Sequence, residues 1–230
     1  MFPIQDTVQS RSVPLVTWGV ILLNGLVFLF ELSLPPDRHE LLIRMLGMVP
    51  ARLGTDPDAV FTLLTCLFLH GGWMHFVGNM WMLYLFGDDV EDRMGSARYL
   101  VFYLLCGLAA SLTHCFTHPT SAIPTIGASG AIAGVLGAYF LLFPTVRVIT
   151  LVPVFIFPFF FEAPAVVFLA IWFGSQLFSG TLSLVNPESY YDVAWWAYIG
   201  GFVVGMVLFP VFRKSTQQYR RYYDDEYWPW

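Results

Sequence analysis

Charged residues are unevenly spaced along this chain, and the gaps between them outline its elements. No Asp, Glu, Lys or Arg occurs from Ser12 to Phe30, Ala59 to Gly87, Tyr99 to Val146, Ala163 to Pro187 or Val193 to Phe212. A helix that crosses a bilayer needs about 20 mostly apolar residues. The longest uncharged stretch contains a polar break from His114 to Thr125 with two prolines, so it reads as two helices and a loop. The segment before Ala163 is apolar apart from Glu162, so one long helix is expected to start near Ile149. The pattern predicts six spans, at about 14–34, 60–86, 97–115, 127–143, 150–179 and 193–212. The first has one basic residue before it, Arg11, and Leu34-Pro35-Pro36 after it in place of a small-x-small cleavage pattern. It reads as a retained anchor, not a signal peptide.

Composition agrees with this pattern. Hydrophobic residues make up 57% of the chain and charged residues 12%, about half the ~25% of an ordinary globular protein. So few charges cannot cover a water-facing surface, which excludes a soluble fold and a disordered chain. A net charge of −5 gives no reason to expect nucleic acid. Cys66, Cys106 and Cys115 show no CxxC spacing and lie in or beside apolar runs. They suggest neither disulfides nor a metal site, and no cofactor is implied. With six spans both termini share one side, which holds Arg11, Arg93, Arg98, Arg147, Arg213, Lys214, Arg220 and Arg221. The other side holds Arg38, Arg44 and Arg52. The richer side is expected to be cytoplasmic. The chain thus divides into a cytoplasmic N-terminus (1–13), a membrane domain (14–212) and a cytoplasmic tail (213–230).

Polar groups at membrane depth are costly unless paired, and they often mark function. Three clusters occur. On span 2, His70, His75 and Asn79 lie in the run HGGWMHFVGNM, with His75 and Asn79 one helical turn apart. An interhelical hydrogen-bond cluster holding the bundle together is the alternative. Gly127-Ala128-Ser129-Gly130 opens span 4. A serine beside glycines at a helix N-terminus, near free N–H donors, suits a nucleophile whose attack creates an oxyanion. An N-cap serine is the bland alternative. The soluble-hydrolase motif GxSxG does not fit, because its second glycine would be Ala131. On span 6, Ala194, Tyr198, Gly201 and Gly205 form one stripe, and span 4 carries Gly130, Gly134 and Gly137. Small-residue stripes let two helices approach closely, so spans 4 and 6 should touch, with Ser129 and Tyr198 near one end of the contact. No intramembrane Asp–Arg pair marks an ion path, which leaves a transporter without support.

Together these residues resemble the rhomboid family of intramembrane serine proteases, in its bacterial six-span form. The similarity runs from about Val60 to Phe209. It is carried by Phe68-Leu69-His70-Gly71-Gly72-Trp73-Met74-His75, Asn79, Gly87, Val90-Glu91, Gly95, Gly127-Ala128-Ser129-Gly130 and Ala194 to Phe202. The resemblance implies an all-α polytopic membrane protein, a six-helix bundle in a bacterial inner or plasma membrane. It implies Ser129 as nucleophile and His75 and Asn79, with the Ser129 backbone N–H, as the oxyanion hole. His70, Gly127, Ala128 and Gly130 would support that site, and Gly134, Gly201 and Gly205 would pack the helices. Partners would be the lipid bilayer and transmembrane segments of membrane proteins, entering beside span 5, with Phe155, Phe157 and Phe159 to Phe161 facing lipid. The chain departs from the family at the base: where rhomboids carry a histidine, it has Tyr198. A serine hydroxyl is a weak nucleophile until a base accepts its proton. Imidazole titrates near pH ~6.5 and phenol near ~10. Two readings stay open, a serine endopeptidase with an unorthodox base (His75 or loop histidines His114 and His118) and a pseudoprotease that binds membrane-protein clients without cutting them.

Overall fold

A computed structural model describes residues 2–8, 10–154, 157–185 and 193–214. Phe155, the 186–192 part of the loop before the last helix and the tail Tyr219 to Trp230 lie outside the described residues. In chain order the elements are β1 (Phe2–Asp6), α1 (Leu15–Ser33), α2 (Pro36–Leu46), a stretch of short turns with the single-turn helix α3 (Thr62–Thr65), α4 (Trp73–Met94), α5 (Ser96–Thr117), α6 (Ser129–Leu142), β2 (Arg147–Val154), β3 (Phe157–Pro164), α7 (Ala165–Val185) and α8 (Trp195–Phe212).

The α1 helix shows why this chain belongs in lipid. Its buried positions are Thr17, Val20, Asn24, Phe28 and Glu31, while Trp18, Leu22, Leu26 and Leu29 on the outside are exposed. The polar groups face inward and the apolar ones outward, as expected where the surrounding solvent is hydrocarbon. Among the described residues four helices, α1, α5, α7 and α8, are long and apolar enough to cross a membrane, and the bent pair Pro57–Phe68 with Trp73–Met94 makes a fifth candidate. The chain is an integral membrane protein.

Two of the expected spans are built differently from the uncharged runs. The second is broken by 79° between residues 68 and 73. Its first half is short turns, and α4 starts only at Trp73. The break falls at Gly71-Gly72, where Gly72 takes φ +153°, a region that favours glycine. The expected helix from 150 is instead a β-hairpin, β2–β3, and the helix begins at Ala165. Pro153, Pro158 and Pro164 rule out an uninterrupted helix, and the Val, Ile and Phe residues between them suit strands. Glu162, alone on a long helix, becomes the cross-strand partner of Arg147 at 2.9 Å. β1 adds as the third strand in the order β1–β2–β3, antiparallel throughout. The helical bundle thus carries a small sheet at one end, and the N-terminal segment is part of it.

The sheet end is tied together by buried acids. Tyr139 Oη of α6 donates to Asp6 Oδ2 of β1 at 2.6 Å, and Trp81 Nε1 of α4 donates to Pro3 O at 2.7 Å. Burial holds the Asp6 carboxyl above the ordinary carboxylate range, with the Tyr139 bond acting in the opposite direction. Glu91 of α4 is 1% exposed. It accepts Val16 N (3.0 Å), Thr17 N (2.8 Å), Thr17 Oγ1 (2.8 Å) and Ser96 Oγ (2.6 Å). The first amides of a helix have no partner within it, and α1 has no side-chain cap of its own. Glu91 supplies that cap from another helix. Glu91→Ala strands these buried donors and is expected to lower stability by about 3 kcal/mol, with Glu91→Gln intermediate. Unfolding titrated with SDS in mixed micelles measures both, and an alanine variant as stable as the parent would contradict this account.

At the centre, α6 is buried without interruption from Gly130 to Tyr139. It forms its most extensive contact with α8. A Cβ on Gly201 would fall on Gly130 O, one on Gly205 on Gly134 O, and one on Gly137 on Phe202 O. The two backbones touch along parallel helices, as the small-residue stripes predict. With 14 residues, α6 rises about 21 Å against about 30 Å for the hydrocarbon core. A helix this short, enclosed by its neighbours, cannot reach both membrane surfaces.

Candidate active site

The site forms where three elements converge: the N-terminal turn of α4, the loop that enters α6, and the first turn of α8. The loop before α6 is clamped by the chain that follows α2. Met48 and Thr125 exchange backbone hydrogen bonds (3.0 and 2.7 Å), and Ala51 N donates to Ser121 O at 3.0 Å. Gly127 N then donates to Cys66 O at 2.8 Å, which ties the loop to the bent second span. Gly127 adopts φ +118°, Ala128 is fully buried, and Ser129 is the first residue of α6. Ser129 therefore sits among the unpaired N–H donors of a helix start.

His75 and Asn79 face this turn from α4. A Cβ on Gly127 would lie 2.5 Å from His75 Nε2 and 3.6 Å from Asn79 Nδ2. Only glycine leaves room for both side chains to approach the backbone next to Ser129. Gly71 N donates to His75 Nδ1 at 3.4 Å. With Nδ1 accepting, the neutral ring carries its hydrogen on Nε2, so His75 presents a donor to the turn. Asn79 Nδ2 is buried with no hydrogen-bond partner. Two side-chain donors, one of them unsatisfied, thus converge beside a serine hydroxyl.

Tyr198 reaches the same place from α8 and comes near the Ser129 side chain, in the same cavity. The contact depends on the α6–α8 approach, since Gly130 packs on Ala110 and lies beside Ala197, the residue before Tyr198. Ser129, His75 and Tyr198 line one cavity of about 820 Å³, together with Gly127, Gly130 and Ala194. His70, Asn79 and Ala128 flank it without lining it. His70 is 1% exposed with both ring nitrogens unpartnered, and it packs edge-on against His75 at 5.2 Å. Gly134, Gly201 and Gly205 lie deeper, in the helix contact.

Some contributors were not legible from motifs. His114 and His118 line the cavity as well, stacked at 4.9 Å and 22°, where spacing suggested only histidines near a loop. Ser111 and Cys66 form part of the wall, 3.6 Å apart. Glu31 of α1 accepts the His70 backbone N–H. A lone carboxyl at the end of an apolar run was the available signal for it. Among the described residues no group of His, Cys, Asp or Glu is arranged to hold a metal ion.

Comparison with known proteins bears on the whole arrangement. The chain is 34% identical over 115 residues to RHOMBOID-like protein 5 of Arabidopsis thaliana, covering 47% of this chain and 37% of that one. It is 42% identical over 76 residues to rhomboid protease GluP of Bacillus subtilis, covering 33% and 14%. It is 32% identical over 92 residues to inactive rhomboid protein 1 of Drosophila melanogaster, covering 40% and 6%. The chain thus matches well under two thirds of the length of each of these relatives. A family model for the rhomboid domain matches residues 57–215. That match takes in more than half of the chain and every residue lining the cavity, and the chain belongs to the rhomboid family.

Proposed function

We propose that this rhomboid admits transmembrane helices of other membrane proteins to the Ser129 cavity and, with a phenol where a base is needed, cleaves them slowly or not at all. One observation carries the reading: Tyr198 lines the cavity beside Ser129, where the chemistry needs a base. The rest of the site suits acyl transfer. Ser129 Oγ would attack a substrate carbonyl, and the oxyanion would be held by His75 Nε2–H, Asn79 Nδ2–H and the Ser129 backbone N–H. Donors aimed at the developing charge are usually the largest single contribution to such catalysis. The step that fails is removal of the serine proton, because phenols, with a reference pKa of ~10, are protonated at neutral pH. His75 is a poor substitute, since the nitrogen it turns toward Gly127 already carries a hydrogen. Relatives named as a protease and as an inactive rhomboid both fall within the range of similarity. The basic end of the bundle, with Arg93, Arg98, Arg147, Arg213 and Lys214, supports a cytoplasmic position for both termini.

A second reading, a slow endopeptidase with a loop histidine as proton acceptor, has one observation in its favour. His118 shares the cavity with Ser129, and burial pulls its imidazole below the usual range, which leaves it neutral and able to accept. A fluorophosphonate probe separates the two. Labelling of Ser129 in the folded parent is expected to be at least about 100-fold slower than in a Tyr198→His variant, the scale of general-base catalysis. Fast labelling of the parent would overturn the first reading, and its loss in His118→Ala would establish the second.

A further inference from the structure

Glu31 stands near the C-terminal end of α1, a helix that carries none of the residues placed in the candidate site. It is 2% exposed, and among the described residues it forms no ion pair. Burying a carboxyl without a cation costs free energy that an apolar residue of similar size would avoid. Its contacts account for the residue type. Both carboxyl oxygens accept the His70 backbone N–H, at 3.2 and 3.1 Å. That amide lies in the bend between the two halves of the broken span, where Leu69 is extended (φ −93°, ψ 147°) and no helical partner is in reach. Phe28, three residues earlier on the same face of α1, packs edge-on against His70 (6.2 Å) and Trp73 (5.1 Å) and stacks on Phe76 (4.5 Å). The α1 helix thus holds the bend at two points, through Glu31 and Phe28.

The next amide in the bend, Gly71 N–H, is the one donated to His75 Nδ1. At 3.4 Å this bond is long, so its direction depends on how firmly the bend is held. We propose that Glu31 is a positioning residue for the oxyanion site: by fixing the His70 amide it aims Gly71 N–H at His75 Nδ1, and so keeps Nε2–H facing Gly127 and Ser129. The inference rests on the donor role proposed for His75, but its primary readout does not involve catalysis.

The test is the tautomer of His75, read from ring nitrogen shifts in protein carrying ¹⁵N-histidine, with His75→Asn for assignment. The parent is expected to show a single neutral tautomer with the hydrogen on Nε2. Glu31→Gln keeps an acceptor oxygen and is expected to preserve it. Glu31→Leu is expected to give a mixture. In the Tyr198→His background, Glu31→Leu should also lower kcat by about 10-fold or more, a fraction of the ~10²–10³ lost with a whole oxyanion donor. KM should be unchanged, and Glu31→Gln should stay within about 3-fold of the background variant on the same scale. A folded Glu31→Leu with the parent's tautomer overturns the role of Glu31 alone. A parent already mixed overturns the donor role of His75. If Glu31→Leu does not fold, amide exchange in the parent decides: protection at His70 and Gly71 supports the proposal, and fast exchange at His70 overturns it.

Discussion

Tyr198→His is expected to convert this chain into an active endopeptidase, with cleavage of a reporter transmembrane helix rising by about 10²–10⁴-fold, the usual contribution of a positioned general base. The parts that are slow to build are already in place. The backbones of α6 and α8 touch at Gly130 and Gly201, so the Cα of residue 198 is held at a fixed place relative to Ser129. The phenol of Tyr198 already shares the cavity with Ser129. An imidazole on the same Cα is shorter and leaves Ser129 Oγ free to turn toward it. The Asn79 donor has no partner to give up before it can bind an oxyanion. Ser129→Ala in the same background must abolish the gain. A folded Tyr198→His protein with no more activity than its parent would show that more than the base is missing.

Gly205→Ala is expected to cost about 3 kcal/mol or more of stability and to abolish cleavage in the Tyr198→His background. The added methyl would coincide with Gly134 O and stand 2.7 Å from Gly134 C and Cα. Overpacking in a core usually costs about 1–3 kcal/mol because side chains can shift. Here the obstacle is backbone inside a helix, which cannot shift without separating α6 from α8 along their whole length. That separation would also part Ser129 from residue 198. Gly174 of α7 is the control, since a Cβ there meets nothing within 4 Å. Gly174→Ala should change stability by no more than about 0.5 kcal/mol. SDS-titrated unfolding of the two variants makes the comparison, and equal behaviour would refute the backbone contact.

The two predictions draw on features that differ in how far they could be read from the chain. Ser129, His75, Asn79 and Tyr198 stood out because polar groups are rare in the apolar runs, and helical spacing restricts where they stand. The start and end of α1 and α8 and the start of α5 were legible because charges flank their apolar runs, and the end of α5 because a polar break with two prolines follows it. Hydropathy reports on environment, not on direction, so it passed over the 79° break at Gly71-Gly72. It also read β2 and β3 as helix, although Pro153, Pro158 and Pro164 stood in the run. Glu31 stood out only as a lone carboxyl at the end of an apolar run, and neither its contact with the His70 amide nor the Asp6–Tyr139 bond was legible. Each depends on a partner far along the chain, and no local pattern encodes which distant segment a side chain will meet.

The position of β1 has a consequence for the order in which the molecule is assembled. This strand leaves the ribosome before everything it binds, and its partners in α6 and β2 lie more than 130 residues downstream. Contacts so distant in sequence form late. Until β2 emerges, β1 has no strand to pair with and must wait at the membrane surface. Closing the sheet is then among the last events of folding, and a bulky fusion at the amino end would interfere with that event while leaving insertion of the helices untouched.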